Sequence, residues 1–227
     1  MNEWKKALID TLIHQLKTMF KVDAERYLSP DVIERALRHS QECKKHFELN
    51  SANGIETCGL NEISIRPYHS LEYTCFLYWL SHELFIDGEV SMASWIYYLN
   101  KSLNCVELFY EVKLPDIWWC EHPLGSVIGR AEFGDYFFFY QGCTVGANFK
   151  QDGSAVYPVF GNHVKMLSNS KVWGDSHIGN NVIISANCYV KDAIVPDNTI
   201  VFGESPNLTF KDNYFVNGCK VDNILSR

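Results

Sequence analysis

Apolar residues recur every three or four positions through the first half of the chain, which is the pattern of amphipathic helices. The first stripe consists of Trp4, Leu8, Ile9, Leu12, Ile13, Leu16 and Phe20. Ser29 and Pro30 then supply an N-cap and a first-turn proline, so a second helix is expected to begin there. Two further helices are expected at about 69–85 and 90–103. The pattern predicts an α-helical domain over residues 1–112.

The period changes to six in the second half. Apolar residues occupy the repeating positions Val127, Phe133, Phe139 and Val145, and then Phe160, Met166, Val172, Ile178, Ile184 and Val190. Glycine often follows these positions. This is the hexapeptide signature of a parallel β-helix, in which three short strands form each triangular coil and the repeated side chains stack inside. We expect a β-helix over 113–203, a loop at 147–159 that protrudes over a cleft, and a C-terminal tail at 204–227.

Charge and composition narrow the classes of function. The formal charge of -7 and the pI of 5.6 argue against nucleic-acid binding, which needs clustered cations. No apolar run approaches the roughly 18 residues of a membrane span, and the first twenty residues carry too many charges for a signal peptide, so a cytoplasmic location is expected. The eight cysteines show no C-x-x-C spacing, which predicts reduced, mostly buried thiols and no metal site.

Three segments resemble the serine acetyltransferase family. They are CVELFYEVKLPDIWWCEHPLGSVIG at 105–129, YPVFGNHV at 157–164 and VFGESPNL at 201–208. The resemblance extends over the whole repeat region and only loosely over the helices. It implies a left-handed β-helix acyltransferase that takes acetyl-CoA as co-substrate and transfers the acetyl group to a hydroxyl.

The resemblance implies a catalytic role for His122, an orienting role for Glu107 and an acceptor contact for Glu121. The chemistry suits these residue types, because an imidazole with a pKa near 6.5 can take a hydroxyl proton at neutral pH. A carboxylate on the second ring nitrogen fixes the tautomer and stabilises the imidazolium. Glu107 stands where the family has Asp and is one methylene longer.

The resemblance also implies where acetyl-CoA lies. Its pantetheine arm is expected along the coil between adjacent subunits, where Gly146, Ser168 and Ala186 leave room, and Lys165 and Lys191 are candidates for phosphate contacts. The chain is therefore expected to form homotrimers, and the helical domains are candidates for pairing trimers into hexamers.

The acceptor is where the chain departs from the family. Val156 and Tyr157 replace the Arg-His pair that recognises the amino acid, and Glu56 is only a weak counterpart of the family's amino-binding Asp. Aromatic residues crowd the region instead, at Trp118, Trp119, Phe137, Phe138, Tyr140 and Tyr157.

Aromatic faces with a few polar groups suit a sugar ring. We therefore expect an O-acetyltransferase that modifies a hydroxyl of a carbohydrate, such as a capsule or O-antigen polysaccharide. Its acceptor would contact Tyr157, Trp119, Tyr140 and Glu121. A serine O-acetyltransferase with rearranged anchors and a non-catalytic β-helix scaffold are the alternatives.

Overall fold

The computed structural model describes residues 3–48 and 63–213. In these ranges the chain begins with four helices: α1 (Glu3–Phe20), α2 (Pro30–Glu48), α3 (Ser70–Ile86) and α4 (Val90–Asn104). The backbone N–H of Val32 donates to Ser29 Oγ at 3.3 Å, so Ser29 caps α2 as predicted. α3 is buried around most of its circumference because it packs between α2 and α4.

A buried cluster of charges ties α3 to α2. The carboxylate of Glu72 on α3 is fully buried and accepts hydrogen bonds from Lys44 Nζ at 2.8 Å and from Arg66 Nε at 2.9 Å. The Arg66 backbone N–H donates to the same carboxylate at 2.8 Å. Burial by itself raises the pKa of Glu72, but the hydrogen bonds from Arg66 and Lys44 outweigh it and hold the pKa below its ordinary value. The carboxylate is therefore charged in the folded protein at neutral pH.

A parallel β-helix of about five turns follows the helices. Its strands are β1 (Glu107–Leu108), β2 (Trp118–Cys120), β3 (Val127–Ile128), β4 (Glu132–Phe133), β5 (Phe137–Phe139), β6 (Thr144–Gly146), β7 (Asn148–Phe149), β8 (Ala155–Val156), β9 (Val159–Phe160), β10 (Lys165–Met166), β11 (Lys171–Trp173), β12 (His177–Ile178), β13 (Ile183–Ile184), β14 (Tyr189–Lys191), β15 (Ile194–Val195), β16 (Thr199–Glu204) and β17 (Asn207–Asp212).

The strands form three faces. Face A contains β1, β3, β6, β11 and β14, face B contains β2, β5, β10, β13 and β16, and face C contains β4, β9, β12 and β15. β7 and β8 form an antiparallel hairpin that interrupts the coil between faces A and C. The predicted architecture, a helical domain followed by a parallel β-helix with a protruding loop, is confirmed.

The core of the coil consists of apolar residues stacked in register, one per turn on each face. Face B stacks Cys120, Phe139, Met166, Ile184 and Val201, all buried. At the start of the repeat, the inward position lies one residue later than the sequence pattern predicts. Val127 is exposed, and Ile128 points inward in register with Val145. The next inward residue is Phe133, five positions after Ile128, so this first corner is one residue shorter than the repeat.

The helical domain packs on face B through aromatic rings. Phe47 of α2 lies 6.4 Å from the ring of Trp119 and 5.5 Å from the ring of Phe138, measured between centroids. Trp118 points into the coil, where it stacks on Phe139 and meets the edge of Tyr78 from α3. The junction therefore buries the aromatic cluster of the first turns.

The ends of the coil lie at β1 and β17. β1 begins at Glu107, six residues before the expected start of the β-helix at 113. β17 pairs antiparallel with β16, so the segment expected to be a tail contains a strand at Asn207–Asp212.

The thiols fit the expectation from composition. The six cysteines of the described ranges are free, and five of them are buried, as predicted. None of the helices in these ranges combines the length and hydropathy required to cross a bilayer.

Candidate active site

His122 lies on an exposed corner of the coil between faces B and A. It follows β2 with a φ of 49°, a left-handed conformation that turns the chain sharply before Pro123. Its side chain is 72% exposed, and its Nε2 atom lies 3.9 Å from Glu121 Oε1. The imidazole is therefore open to a ligand and has a carboxylate beside it.

Glu107 is next to this corner in the backbone but has another side-chain partner. Its N–H donates to the carbonyl of Ser126 at 2.9 Å, which places β1 against the turn that follows His122. Its carboxylate binds the ammonium of Lys101 at the end of α4, and this hydrogen bond raises the pKa of Lys101. Within the described ranges, no hydrogen bond joins Glu107 to His122. The orienting role of Glu107 stays a prediction, and the structure shows Lys101 competing for its carboxylate.

Ser168 and Ala186 form a column of small residues on the same corner as His122. The N–H of Asn187 donates to the carbonyl of Ser168 at 2.9 Å, and the N–H of Asn169 donates to the carbonyl of Gln141 at 2.8 Å. Successive turns of a β-helix lie about 4.8 Å apart, so the column continues down the corner in steps of that size. Gln141 lies on the turn between His122 and Ser168, so the two small side chains are two and three turns away from His122 on this corner.

Gly146 lies at the opposite end of face A, against the indole of Trp173. It is in register with Trp173, and a Cβ atom at Gly146 would lie 2.9 Å from ring atom Cζ3 of Trp173. The small size of Gly146 accommodates the indole, and its expected contact with a pantetheine arm stays a prediction.

The two candidate phosphate-binding lysines lie on different faces. Lys191 is exposed and continues the Gly146–Trp173 column by one turn. Lys165 is on face B, with Nζ 4.9 Å from the ring centroid of Phe138. Lys191 is thus the lysine that the structure leaves accessible from the solvent, whereas Lys165 packs on a ring.

The aromatic residues expected to bind the acceptor are mostly packing residues. Trp118 and Phe137 are fully buried in the coil, and Trp119 is 4% exposed beneath Phe47. Tyr140 is half-buried against Phe138, and burial, with the charge of Glu121, raises the pKa of its hydroxyl. The assignment of Trp119 to acceptor binding is corrected, because α2 covers the indole.

Tyr157 borders a cavity of about 420 Å³ at the corner between faces A and C. The lining residues are Glu111, Val112, Lys113, Arg130, Ala131, Glu132, Ala155, Val156, Tyr157, Pro158, Val159 and Asp175. An ion pair lies in this cavity, with Arg130 Nη2 2.9 Å from Glu111 Oε2. The sequence analysis missed both residues, since a lone arginine or glutamate in a repeat is indistinguishable from an ordinary surface charge.

The cavity and His122 lie at opposite ends of face A. His122 precedes β3, and Arg130 follows it. The intervening residues 125–129 extend over roughly 15 Å at the rise of a β-strand. A single chain therefore does not bring His122 and Tyr157 together.

In the part of the chain that the structure describes, no group of three or more His, Cys, Asp or Glu side chains could hold a metal ion. Glu56 lies outside the described residues, so its predicted contact with an amino group is not located.

Curated relatives of this chain are serine acetyltransferases. The chain is 36% identical to a serine acetyltransferase of Synechococcus elongatus over 105 residues, which are 46% of this chain and 43% of that protein. It is 31% identical to one of Staphylococcus epidermidis over 125 residues, which are 55% of this chain and 58% of that protein. The chain thus spans about half the length of these relatives. No family model matches it.

The fold matches solved serine acetyltransferase structures. The enzyme of Neisseria gonorrhoeae superimposes with a TM-score of 0.66 at 19% identity, over 98% of this chain and 85% of that one. A serine acetyltransferase in complex with CoA gives a TM-score of 0.65 at 17% identity, over 93% of this chain and 86% of that one. The likeness shows that the helical domain and the β-helix are combined here as in those proteins.

These comparisons overturn the expectation of a sugar or polysaccharide acceptor, including its capsule assignment. The relatives and the structural neighbours are serine acetyltransferases. The physical reason for the error is that the rings of Trp118, Trp119 and Phe137, which motivated a sugar site, are buried in packing. The similarities support the resemblance to hexapeptide-repeat acyltransferases, and the relatives found are named for serine as the acceptor.

Proposed function

We propose that the protein is an acetyl-CoA-dependent serine O-acetyltransferase with His122 as the general base. The observation that carries the proposal is the open imidazole of His122 in a chain similar to serine acetyltransferases, and the resemblance of 105–129 to that family supports its role as the base. Acetyl-CoA enters the proposal through the resemblance and through the CoA complex of a structural neighbour.

The residues of this corner suit removal of a hydroxyl proton. Acetyl-CoA supplies the acetyl group as a thioester. His122 takes the proton of the serine hydroxyl while the hydroxyl oxygen bonds to the carbonyl carbon of the acetyl group. The imidazolium then gives that proton to the sulfur of CoA as the C–S bond breaks. Glu121 Oε1, 3.9 Å from Nε2, is placed to stabilise the imidazolium. A base of this kind contributes about 10²–10⁴-fold to the rate.

The later turns of this corner suit an extended thioester arm, because Ser168 and Ala186 present little side-chain bulk there. Lys191 is the exposed lysine that we assign to phosphate binding. We propose no contact for Gly146, because the indole of Trp173 packs against it.

The separation of His122 from the cavity favours an active site shared by two copies of the chain. Exposed apolar side chains flank both places: Leu124 and Val127 lie beside His122, and Phe149 lies on the β7–β8 hairpin. Burying such side chains against a second coil stabilises association, and closed symmetry satisfies every copy equally. We propose a homotrimer in which the cavity of one copy faces His122 of the next.

Turnover with candidate acceptors tests the proposal. Purified protein is incubated with acetyl-CoA and L-serine, and release of the free CoA thiol is followed together with O-acetylserine by mass spectrometry. We expect saturable release with L-serine and none above background with L-alanine, which has no hydroxyl. A protein that shows no transfer to L-serine contradicts the proposal, and a trimer that binds neither substrate favours a scaffold.

A further inference from the structure

The Arg130–Glu111 ion pair has unused hydrogen-bonding capacity. Nη2 of Arg130 donates to Glu111 Oε2 at 2.9 Å, and this is the one hydrogen bond that the guanidinium makes among the described residues. A guanidinium carries five N–H donors in a planar fork that matches a carboxylate. Its carbon lies 5.9 Å from the ring centroid of Phe109, which supports the plane of the fork from one side. Both charged side chains are partly exposed, at 55% for Arg130 and 37% for Glu111, so a ligand can reach them.

The pair presents two opposite charges at a spacing that suits a small zwitterion. An α-amino acid carries its carboxylate and its ammonium on the same carbon, a few ångströms apart. The guanidinium of Arg130 and the carboxylate of Glu111 are also a few ångströms apart. Arg130 can therefore bind the carboxylate of such a molecule while Glu111 binds its ammonium group. An exposed ion pair contributes little to stability. A ligand that inserts between Arg130 and Glu111 and binds both side chains therefore costs the protein little stabilisation.

The rest of the cavity favours a zwitterion over a simple anion. Glu132 and Asp175 add negative charge to the lining, and Lys113 adds one further positive charge. An acid without an ammonium group would meet this excess of carboxylates uncompensated, whereas a zwitterion brings one ammonium group that faces them. The loop residues Val156 and Tyr157 carry no charge that could hold a carboxylate. Arg130 is therefore the guanidinium that the cavity offers for this purpose within the described ranges.

We infer that Arg130 binds the carboxylate of the acceptor amino acid and that Glu111 binds its ammonium group. This inference rests on the proposed function, since it names how serine is recognised. The pair makes the site specific for free amino acids. An acceptor that lacks the carboxylate leaves Arg130 without a contact, and one that lacks the ammonium group leaves Glu111 without one.

Paired substrates and variants test the two contacts separately. L-serine is compared with L-serine methyl ester, which lacks the carboxylate, and with 3-hydroxypropanoate, which lacks the ammonium. Arg130→Met is expected to lower kcat/KM for L-serine about 10–100-fold, mainly through KM, and to leave the ester nearly unchanged. Glu111→Gln is expected to remove the preference for L-serine over 3-hydroxypropanoate. The matched control is Lys113→Met, another cation of the same cavity, which should preserve both preferences.

A binding measurement separates this inference from the proposed function. Calorimetric titration of L-serine into each protein, without acetyl-CoA, should show weaker binding to Arg130→Met than to Lys113→Met. Wild-type transfer to L-serine with unchanged discrimination in Arg130→Met overturns the inference alone. Absence of wild-type transfer contradicts the proposed function, and the titration then decides the inference: weaker binding to Arg130→Met supports it, and equal or absent binding overturns it.

Discussion

Replacing Glu72 by Gln tests whether the buried charge cluster holds the helical domain together. The substitution keeps the size of the side chain but leaves Lys44 and Arg66 facing a neutral amide instead of a carboxylate. Removing one partner of a buried ion pair typically costs 3–5 kcal/mol. We expect about 3 kcal/mol, at the lower end, because Arg66 is partly exposed and can rehydrate. For a chain of this length that loss lowers Tm by about 10 °C.

The dependence on pH gives the prediction a second, independent signature. The native pKa of Glu72 lies below its unfolded value, so the charge stabilises the fold above the unfolded pKa of about 4.3 and loses that effect as the pH falls through the native pKa. The difference in unfolding free energy between the wild type and Glu72→Gln should be constant from pH 7 to pH 5. It should shrink below about pH 4.

Scanning calorimetry and urea unfolding measure both signatures. The control is Glu34→Gln, the same chemical change in the exposed pair with Lys5, where Nζ lies 3.1 Å from the carboxylate. This control should cost less than about 1 kcal/mol. If Glu72→Gln is no more destabilising than Glu34→Gln, or if its deficit grows on acidification, the assignment of net stabilisation to this cluster is wrong.

Two further substitutions test the coil. Phe139→Ala empties a fully buried position of the face B stack and should cost about 3–5 kcal/mol in urea unfolding, whereas Phe149→Ala on the exposed hairpin should change stability by less than about 0.5 kcal/mol; equal effects would contradict the stacking. Gly134→Ala would place a Cβ 2.6 Å from the carbonyl carbon of Gly161 on the next turn, a backbone atom that cannot move aside, and should cost about 1–3 kcal/mol; an unchanged Tm would refute the close approach of these turns.

The sequence predicted the coil well because its geometry repeats. A β-helix requires an inward apolar side chain at the same point of every strand, so the six-residue period appears directly in the sequence at positions such as Phe139, Met166 and Ile184. The sequence does not show that Ile128, and not Val127, points into the coil, since both are β-branched and apolar. Only the shorter corner before Phe133 decides which one points inward.

The site was harder to predict because its features depend on tertiary contacts. The indole of Trp119 resembles a binding surface in the sequence, and it is the packing of Phe47 from α2 that removes it from solvent. Likewise, a glycine in a repeat gives no sign that a ring such as Trp173 lies over Gly146. Arg130 escaped notice because its meaning comes from a cavity that includes the distant loop at Tyr157.

The central claim is that the imidazole of His122 removes the proton of the serine hydroxyl. Steady-state acetyl transfer to L-serine, compared in the wild type, His122→Ala and His177→Ala, measures it directly. His177 is an exposed histidine of face C, so its replacement controls for loss of an imidazole elsewhere on the coil. We predict that His122→Ala lowers kcat about 10²–10⁴-fold with an unchanged Tm and that His177→Ala keeps wild-type kcat. Wild-type kcat in His122→Ala would contradict the account.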